Sequence, residues 1–406
     1  MSTYINMHIT AKPTSFQCNL NCDYCFYLEK EFSLPAKLTQ TMTYPVLEQY
    51  IKHYIEAAGE NVYFTWQGGE PTLAGLPFYE QAVKYQKTYA KNKKIYNAFQ
   101  TNGILINVKW CDFFLKNDFL VGISIDGPET IHNKYRVTKS NKGTFKQVMR
   151  AIELFNEHAV KFNTLTVVNN LNVQYPIETY NFLKSIGAKH LQFIELVETQ
   201  ELNENHIPIW FGDEPQSVTL CPFSVPAEQY GKFMVEIFKQ WVSQDVGKIF
   251  VRQFESLISC FMGNGHSSCI FQNACGDNLV IEADGSIYEC DHFVYDGYLL
   301  GNISDIKLSN AFGHNVNTQK KTLSEQCEQC AYIEICNGGC PKHRFIKSKI
   351  DNLNVSYFCA GYKLMFREMT PYLNAMRELL NSGLPAYHIM DLVDIIRENQ
   401  GAKITF

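Results

Sequence analysis

Three cysteines crowd into the eight residues CNLNCDYC, as Cys18, Cys22 and Cys25, and no fourth thiol lies close by in the chain. A structural zinc wants four closed ligands, which this loop does not supply. A [4Fe–4S] cube normally takes four cysteines. Held by three, it keeps one iron with an open coordination position that can chelate a small molecule. A second thiol-rich stretch reads C-x5-C-x14-C, then C-x2-C-x5-C-x3-C, then a last cysteine at 359. Its eight thiols, Cys269, Cys275, Cys290, Cys327, Cys330, Cys336, Cys340 and Cys359, are enough for two fully ligated cubes or two zinc tetrads. A fully ligated cube offers no open iron, so electron transfer is its natural role. Cys111, Cys221 and Cys260 stand outside both sets and read as buried structural thiols.

The elements that must position these thiols alternate in type. The strand candidates are MHITAK, VYFTW, IYNAFQ, LVGISID, KFNTLTVV and HLQFIEL. Between them lie stretches with an apolar helical stripe: YPVLEQYIKHYIEAA, PFYEQAVKYQKTYAK, VKWCDFFLKN, TFKQVMRAIELFNEH and PIETYNFLKSIG. This βα repeat predicts an α/β fold with a parallel sheet covered by helices. Six units fall short of a closed eight-stranded barrel, so the expectation is a partial (β/α)6, TIM-like barrel with its chemistry at the C-terminal strand ends. WQGGEPT, QTNG and SIDGP are polar, glycine-containing exits from three of those strands.

Residues 201–225 read as a loop or insertion, followed by the aromatic-rich helix AEQYGKFMVEIFKQWVSQ. Three parts are expected: the barrel over 1–245, a cysteine-rich domain over 246–361, and a closing helix from Tyr362 to Leu380 within a C-terminal part 362–406. The chain has 406 residues, 46% of them apolar, enough to bury a sizeable core. A formal charge of −5 without long runs of one sign gives no footprint for nucleic acid or a membrane surface. Without a secretory pattern or a long apolar run, the sequence reads as cytoplasmic, where clustered thiols point to metal or redox chemistry rather than disulfides.

The CxxxCxxC spacing, followed by GGEP at residues 68–71, resembles the radical S-adenosylmethionine (SAM) superfamily. That resemblance implies a [4Fe–4S] cluster on Cys18, Cys22 and Cys25 that binds SAM and cleaves it to a 5′-deoxyadenosyl radical. It also implies cofactor contacts at Tyr24, Gly68, Gly69, Glu70, Ser124, Arg136 and Leu196. Tyr24 and Leu196 would pack on the adenine, the glycine motif would meet the amino group, and Ser124 and Arg136 would hold ribose and carboxylate. The C-terminal thiols match the SPASM pattern, a carrier of two auxiliary [4Fe–4S] clusters. Its interleaved pairing gives Cys269, Cys275, Cys290 and Cys340 to one and Cys327, Cys330, Cys336 and Cys359 to the other.

Within that superfamily the chain is similar to the anaerobic sulfatase-maturating enzymes, through CDYCFYLEK, WQGGEPTL, QTNG, SIDGP, DVGKIF, ECDHFVY and GGCPKHRF. The resemblance implies oxidation of a cysteine or serine in a sulfatase peptide to formylglycine, fed by a flavodoxin- or ferredoxin-type reductant. Asp291 matches the base, and Tyr27 and Gln67 the substrate-side contacts; Asp291 also reads as a solvated loop acid. The sixth strand departs from the family pattern, with Glu195 for a proline and Thr199 for an arginine in QFIELVETQ. This leaves open the crosslinking of a ribosomally made precursor peptide. A non-enzymatic iron–sulfur electron carrier or a zinc-stapled binding module is the reading from another class.

Overall fold

The computed structural model describes residues 7–27, 30, 41–200 and 219–401. Six parallel strands follow one another in space as in sequence: β1 (His8–Ala11), β2 (Asn61–Trp66), β3 (Lys94–Thr101), β4 (Phe119–Ser124), β5 (Phe162–Val168) and β6 (His190–Glu195). A two-residue strand β7 (Phe250–Val251) pairs parallel with β6 at one edge. At the other edge β8 (Asn278–Ile281) pairs parallel with β1, and β9 (Ser286–Tyr288) and β10 (Leu299–Asn302) continue antiparallel. The sheet therefore has ten strands, and the thiol-rich part of the chain supplies one end of it.

The helices cover the sheet because their apolar stripes need a partner. In Tyr44–Ala57 the buried residues are Leu47, Tyr50, Ile51, Tyr54 and Ile55, the spacing of one helical face. Thr43 caps the helix by accepting from the Val46 N–H at 3.5 Å, and Pro45 fits its first turn. The hydroxyls of Tyr50 and Tyr54 donate to the carbonyls of Ile9 and Met7, each at 3.1 Å, which fastens the helix over β1. Trp66, Tyr79, Phe99 and Trp110 carry the same aromatic core across β2 and β3.

The helices expected between the strands form within two residues of their predicted limits, and Ala227–Gln244 forms at its predicted limits. The closing helix starts earlier than expected, at Cys359 rather than Tyr362, and runs to Asn381, so the last cysteine opens it. It packs along Ala227–Gln244. The short helix Glu129–Tyr135 and the helix Arg252–Phe261 were not expected, and the C-terminal tail holds a turn and a further helix, Val393–Gly401. Residues 201–218 of the expected insertion lie outside the described residues. Cys111 is buried as expected, whereas Cys221 and Cys260 are only half-buried.

Candidate active site

The loop after β1 carries the first three cysteines, and the end of β2 fixes it. The Gly69 N–H donates to the Ser15 carbonyl at 2.7 Å and the Glu70 N–H to the Gln17 carbonyl at 2.8 Å. A Cβ at Gly69 would fall inside the van der Waals surface of the Gln17 carbonyl, so this close approach requires glycine. Gly68 lies beside the Ser15 carbonyl in the same way. Glu70 is fully buried. Its carboxylate accepts from the Thr72 hydroxyl (2.6 Å) and N–H (3.0 Å), the Thr101 hydroxyl (2.8 Å) and the Asn102 N–H (2.7 Å). Burial raises its pKa, and these donors oppose the shift. The GGE triplet thus ties β2, β3 and the cysteine loop together.

Around the thiols an apolar cluster packs from Leu20, Cys22, Tyr24, Tyr135 and Leu196, with Cys18, Cys25 and Phe223 against it. Leu196 lies one residue beyond β6, and Ser124 is the last residue of β4. The Leu20 N–H and the Asn102 amide point at the Cys18 sulfur, at 3.4 and 3.6 Å. N–H donors aimed at a sulfur are what a ligating thiolate requires, so the three cysteines fit an iron–sulfur cube. The Arg136 guanidinium is taken up by Asp126, at 3.0 and 3.2 Å, and stands 5.5 Å from the Tyr24 ring centre. The Tyr24 hydroxyl donates to the same carboxylate. Asp126 and Asn102 belong to the SIDGP and QTNG strand exits, but sequence reasoning assigned neither a role.

Asp291, in the turn after Cys290, meets the N-terminal half of the molecule here. The Tyr27 hydroxyl donates to it at 2.7 Å and the Gln67 amide stands 3.5 Å away. Lys12, fully buried, forms an ion pair with Asp291 and another with Glu282 at 3.3 Å, its ammonium 4.4 Å from the Tyr27 ring centre. Burial alone would raise the Asp291 pKa, the direction anticipated for a buried base. The Lys12 cation and the Tyr27 hydrogen bond outweigh it and bring the carboxyl to about 2. Nearby, burial brings the Lys30 ammonium down to about 7 and holds His292 neutral, at about 3. Lys12 and Glu282 carry no motif, and only their proximity identifies them; Lys30 closes the CDYCFYLEK stretch, but nothing in the sequence gave it a role.

A cleft of about 1560 Å³ runs along the inner face of the sheet and reaches Gln67, Asp291 and Cys269. Its volume exceeds the several hundred Å³ of a typical small-molecule pocket and suits a peptide. Glu195 does not line it. Its carboxylate is buried and accepts from the Tyr362 hydroxyl at 2.6 Å and the Tyr230 hydroxyl at 3.3 Å, so this departure from the family pattern faces the helix junction. Thr199 is likewise buried, bridging Leu220.

The electrostatic neighbours of the other eight cysteines fall into two sets. Cys269, Cys275, Cys290 and Cys340 act on one another, and Cys327, Cys330, Cys336 and Cys359 do the same. The second four also line one small cavity together with Tyr362 and Phe366. No helix among the described residues is long and apolar enough to cross a membrane.

The sequence profile of the Radical SAM superfamily matches residues 13–183, the span that holds the three-thiol loop and strands β2 to β5. With this fold and this loop, the protein is a radical SAM enzyme, using SAM and a [4Fe–4S] cluster. A serine-type anaerobic sulfatase-maturating enzyme of Bacteroides thetaiotaomicron is 38% identical over 395 residues, covering 96% of this chain and 95% of its own. A cysteine-type enzyme of Clostridium perfringens is 36% identical, covering 90% of this chain and 97% of its own. The chain belongs to the anaerobic sulfatase-maturating enzyme family. The structure of native anSMEcpe with bound AdoMet and Cp18Cys peptide superposes with a TM-score of 0.79 at 33% identity, over 92% of this chain and 99% of that one. Streptococcus suis SuiB bound to precursor peptide SuiA shares the fold alone, at 13% identity and a TM-score of 0.58 over 88% of this chain and 77% of that one.

Proposed function

We propose that this enzyme oxidises a cysteine or serine side chain of a sulfatase peptide to formylglycine, with Asp291 as the base. The observation that carries this reading is that Asp291, held by Tyr27 and Lys12, lines with Gln67 a cleft large enough for a peptide. When bound, SAM and its cube supply the radical that takes a hydrogen atom from the substrate β-carbon. Tyr24 and Leu196 offer the adenine an apolar wall, and Asp126 holds Tyr24 and Arg136 in fixed orientation. Ser124 and the Gly68–Gly69 backbone complete the rim at the strand ends. Tyr27 and Gln67 orient the Asp291 carboxylate, and Lys12 keeps it ionised. An ionised carboxylate of low pKa accepts a proton only from an acidified donor, such as a thiol or hydroxyl on a carbon that has lost its hydrogen.

The grouping of the eight C-terminal cysteines supports two auxiliary [4Fe–4S] clusters, the first of them next to Asp291 through Cys290. We assign the barrel to 1–245, the cluster-bearing part to 246–361 and the closing part to 362–406, the last two packed on the barrel through β8 and the closing helix. The electron delivered to SAM would come from a flavodoxin- or ferredoxin-type donor. The test is anaerobic incubation with SAM, dithionite and sulfatase-derived peptides bearing cysteine or serine, read by peptide mass and 5′-deoxyadenosine. Asp291→Asn is expected to keep 5′-deoxyadenosine formation and lose most of the formylglycine product. Undiminished product would remove Asp291 from the base role, and a crosslinked peptide would redirect the substrate reading.

A further inference from the structure

Two cations lie buried between the two cysteine sets. Lys320 is 1% exposed and Arg344 is 6% exposed. The Lys320 ammonium donates to the carbonyls of Ile270 (2.8 Å) and Gly339 (2.7 Å). Arg344 donates to the carbonyls of Gly338 (2.9 Å), Asn337 (3.1 Å) and Gly339 (3.2 Å), and also to those of residues 319, 320 and 322. Carbonyls satisfy the N–H donors but leave the charge uncompensated, and a buried charge is costly without an opposite one. Thiols of both sets face these two cations: Cys269, Cys275, Cys336 and Cys340 act with Lys320, and Cys275, Cys327, Cys336 and Cys340 with Arg344.

The segment they grip joins the two sets. Cys336 belongs to one and Cys340 to the other, and between them Asn337, Gly338 and Gly339 all take left-handed backbone, with φ of 47°, 70° and 67°. This turn lets their three carbonyls converge on the two cations. We infer that Lys320 and Arg344 are the shared countercharges of the two auxiliary clusters and raise their reduction potentials, so that the clusters can take the electron released during substrate oxidation. The inference rests on the reading that the eight cysteines hold two cubes.

Oxidising the side chain releases two electrons and two protons. One of each leaves as the hydrogen atom abstracted by the adenosyl radical. The second proton goes to Asp291 and the second electron enters the cube beside Cys290, which becomes singly reduced. That cube is already anionic, so adding an electron costs less beside fixed positive charge.

The test is an anaerobic redox titration of the reconstituted enzyme followed by electron paramagnetic resonance, with iron and sulfide measured on each sample. Lys320→Gln keeps an N–H donor and removes the charge. It is expected to retain all its iron and to lower the equilibrium constant for one-electron reduction of an auxiliary cluster at least tenfold, about 59 mV. The N-terminal cube should stay unchanged, and Lys320→Arg should restore the auxiliary potential. Full iron with unchanged auxiliary potentials would overturn the proposal. If Lys320→Gln loses iron, Arg344→Gln is titrated in its place with the same two outcomes. Loss of the auxiliary cubes from both neutral variants and from Lys320→Arg alike would give the cations a structural role and overturn it too. Wild-type protein with iron and sulfide for a single cube would instead remove the two-cluster reading itself.

Discussion

The two thiol-bearing regions are held by opposite means. Around Cys18, Cys22 and Cys25 the loop is fixed by backbone fit at Gly69 and by the carboxylate of Glu70, which gathers donors from three residues. Around the C-terminal cysteines the fixing groups are buried cations, Lys320 and Arg344, aimed at carbonyls. The difference fits the roles proposed for the two regions. A cube that binds and cleaves a cofactor at an open iron needs an exact loop geometry. On the proposed two-cluster reading, the closed C-terminal cubes only pass electrons and need a tuned field instead. Lys12, with Glu282 and Asp291, forms the ionic seam between the two regions.

This contrast is sharpest at Gly69. Gly69→Ala is expected to displace the cysteine loop, abolish 5′-deoxyadenosine formation and lower the iron content by that of one cube. Auxiliary clusters that survive in the same sample, seen by electron paramagnetic resonance, would demonstrate that the regions are held independently. Next in size, Lys12→Met breaks the ion pairs of Asp291 and Glu282 and should cost about 3–5 kcal/mol in denaturant unfolding. A loss below 1 kcal/mol would mean that the seam is not what joins the two regions. Thr101→Val removes one donor from Glu70 and is expected to cost about 1–3 kcal/mol and weaken SAM binding, leaving auxiliary potentials alone.

The smallest effect is expected at Glu195→Gln, which keeps the shape and both tyrosine partners. Burial raises the Glu195 pKa in the folded state, so the folded protein holds this proton more tightly than the unfolded chain does. Wild-type stability should therefore fall as pH rises above the ordinary carboxylate value, and the variant should lack that component. Thermal melts of the two proteins should coincide below about pH 4 and favour the variant at neutral pH. Identical pH profiles would mean that Glu195 ionises without penalty.

Much of the fold was legible because buried parallel strands and amphipathic helices repeat with different periods, as in KFNTLTVV against TFKQVMRAIELFNEH. Glu129–Tyr135 escaped because seven residues give barely two turns of pattern. That β8–β10 extend the barrel sheet was also illegible, since NLVI announces a strand without naming its neighbour. In the site, Tyr24 and Leu196 share one apolar cluster, and Tyr27 and Gln67 meet Asp291. The Glu70 carboxylate and the Arg136 guanidinium, expected to face the cofactor, are occupied by protein partners.

The sequence by itself determined the candidate ligands: cysteine number and spacing are covalent facts, and they limit what metal centre can form before any folding is considered. It also determined the βα alternation, because hydrophobic period is local. Only the tertiary structure decided which charges face which, as when Tyr27 and Asp291, 264 residues apart, come to share a hydrogen bond beside Lys12. Ionic and hydrogen-bonding partners are set by how strands pack in space, and no local pattern encodes that distance.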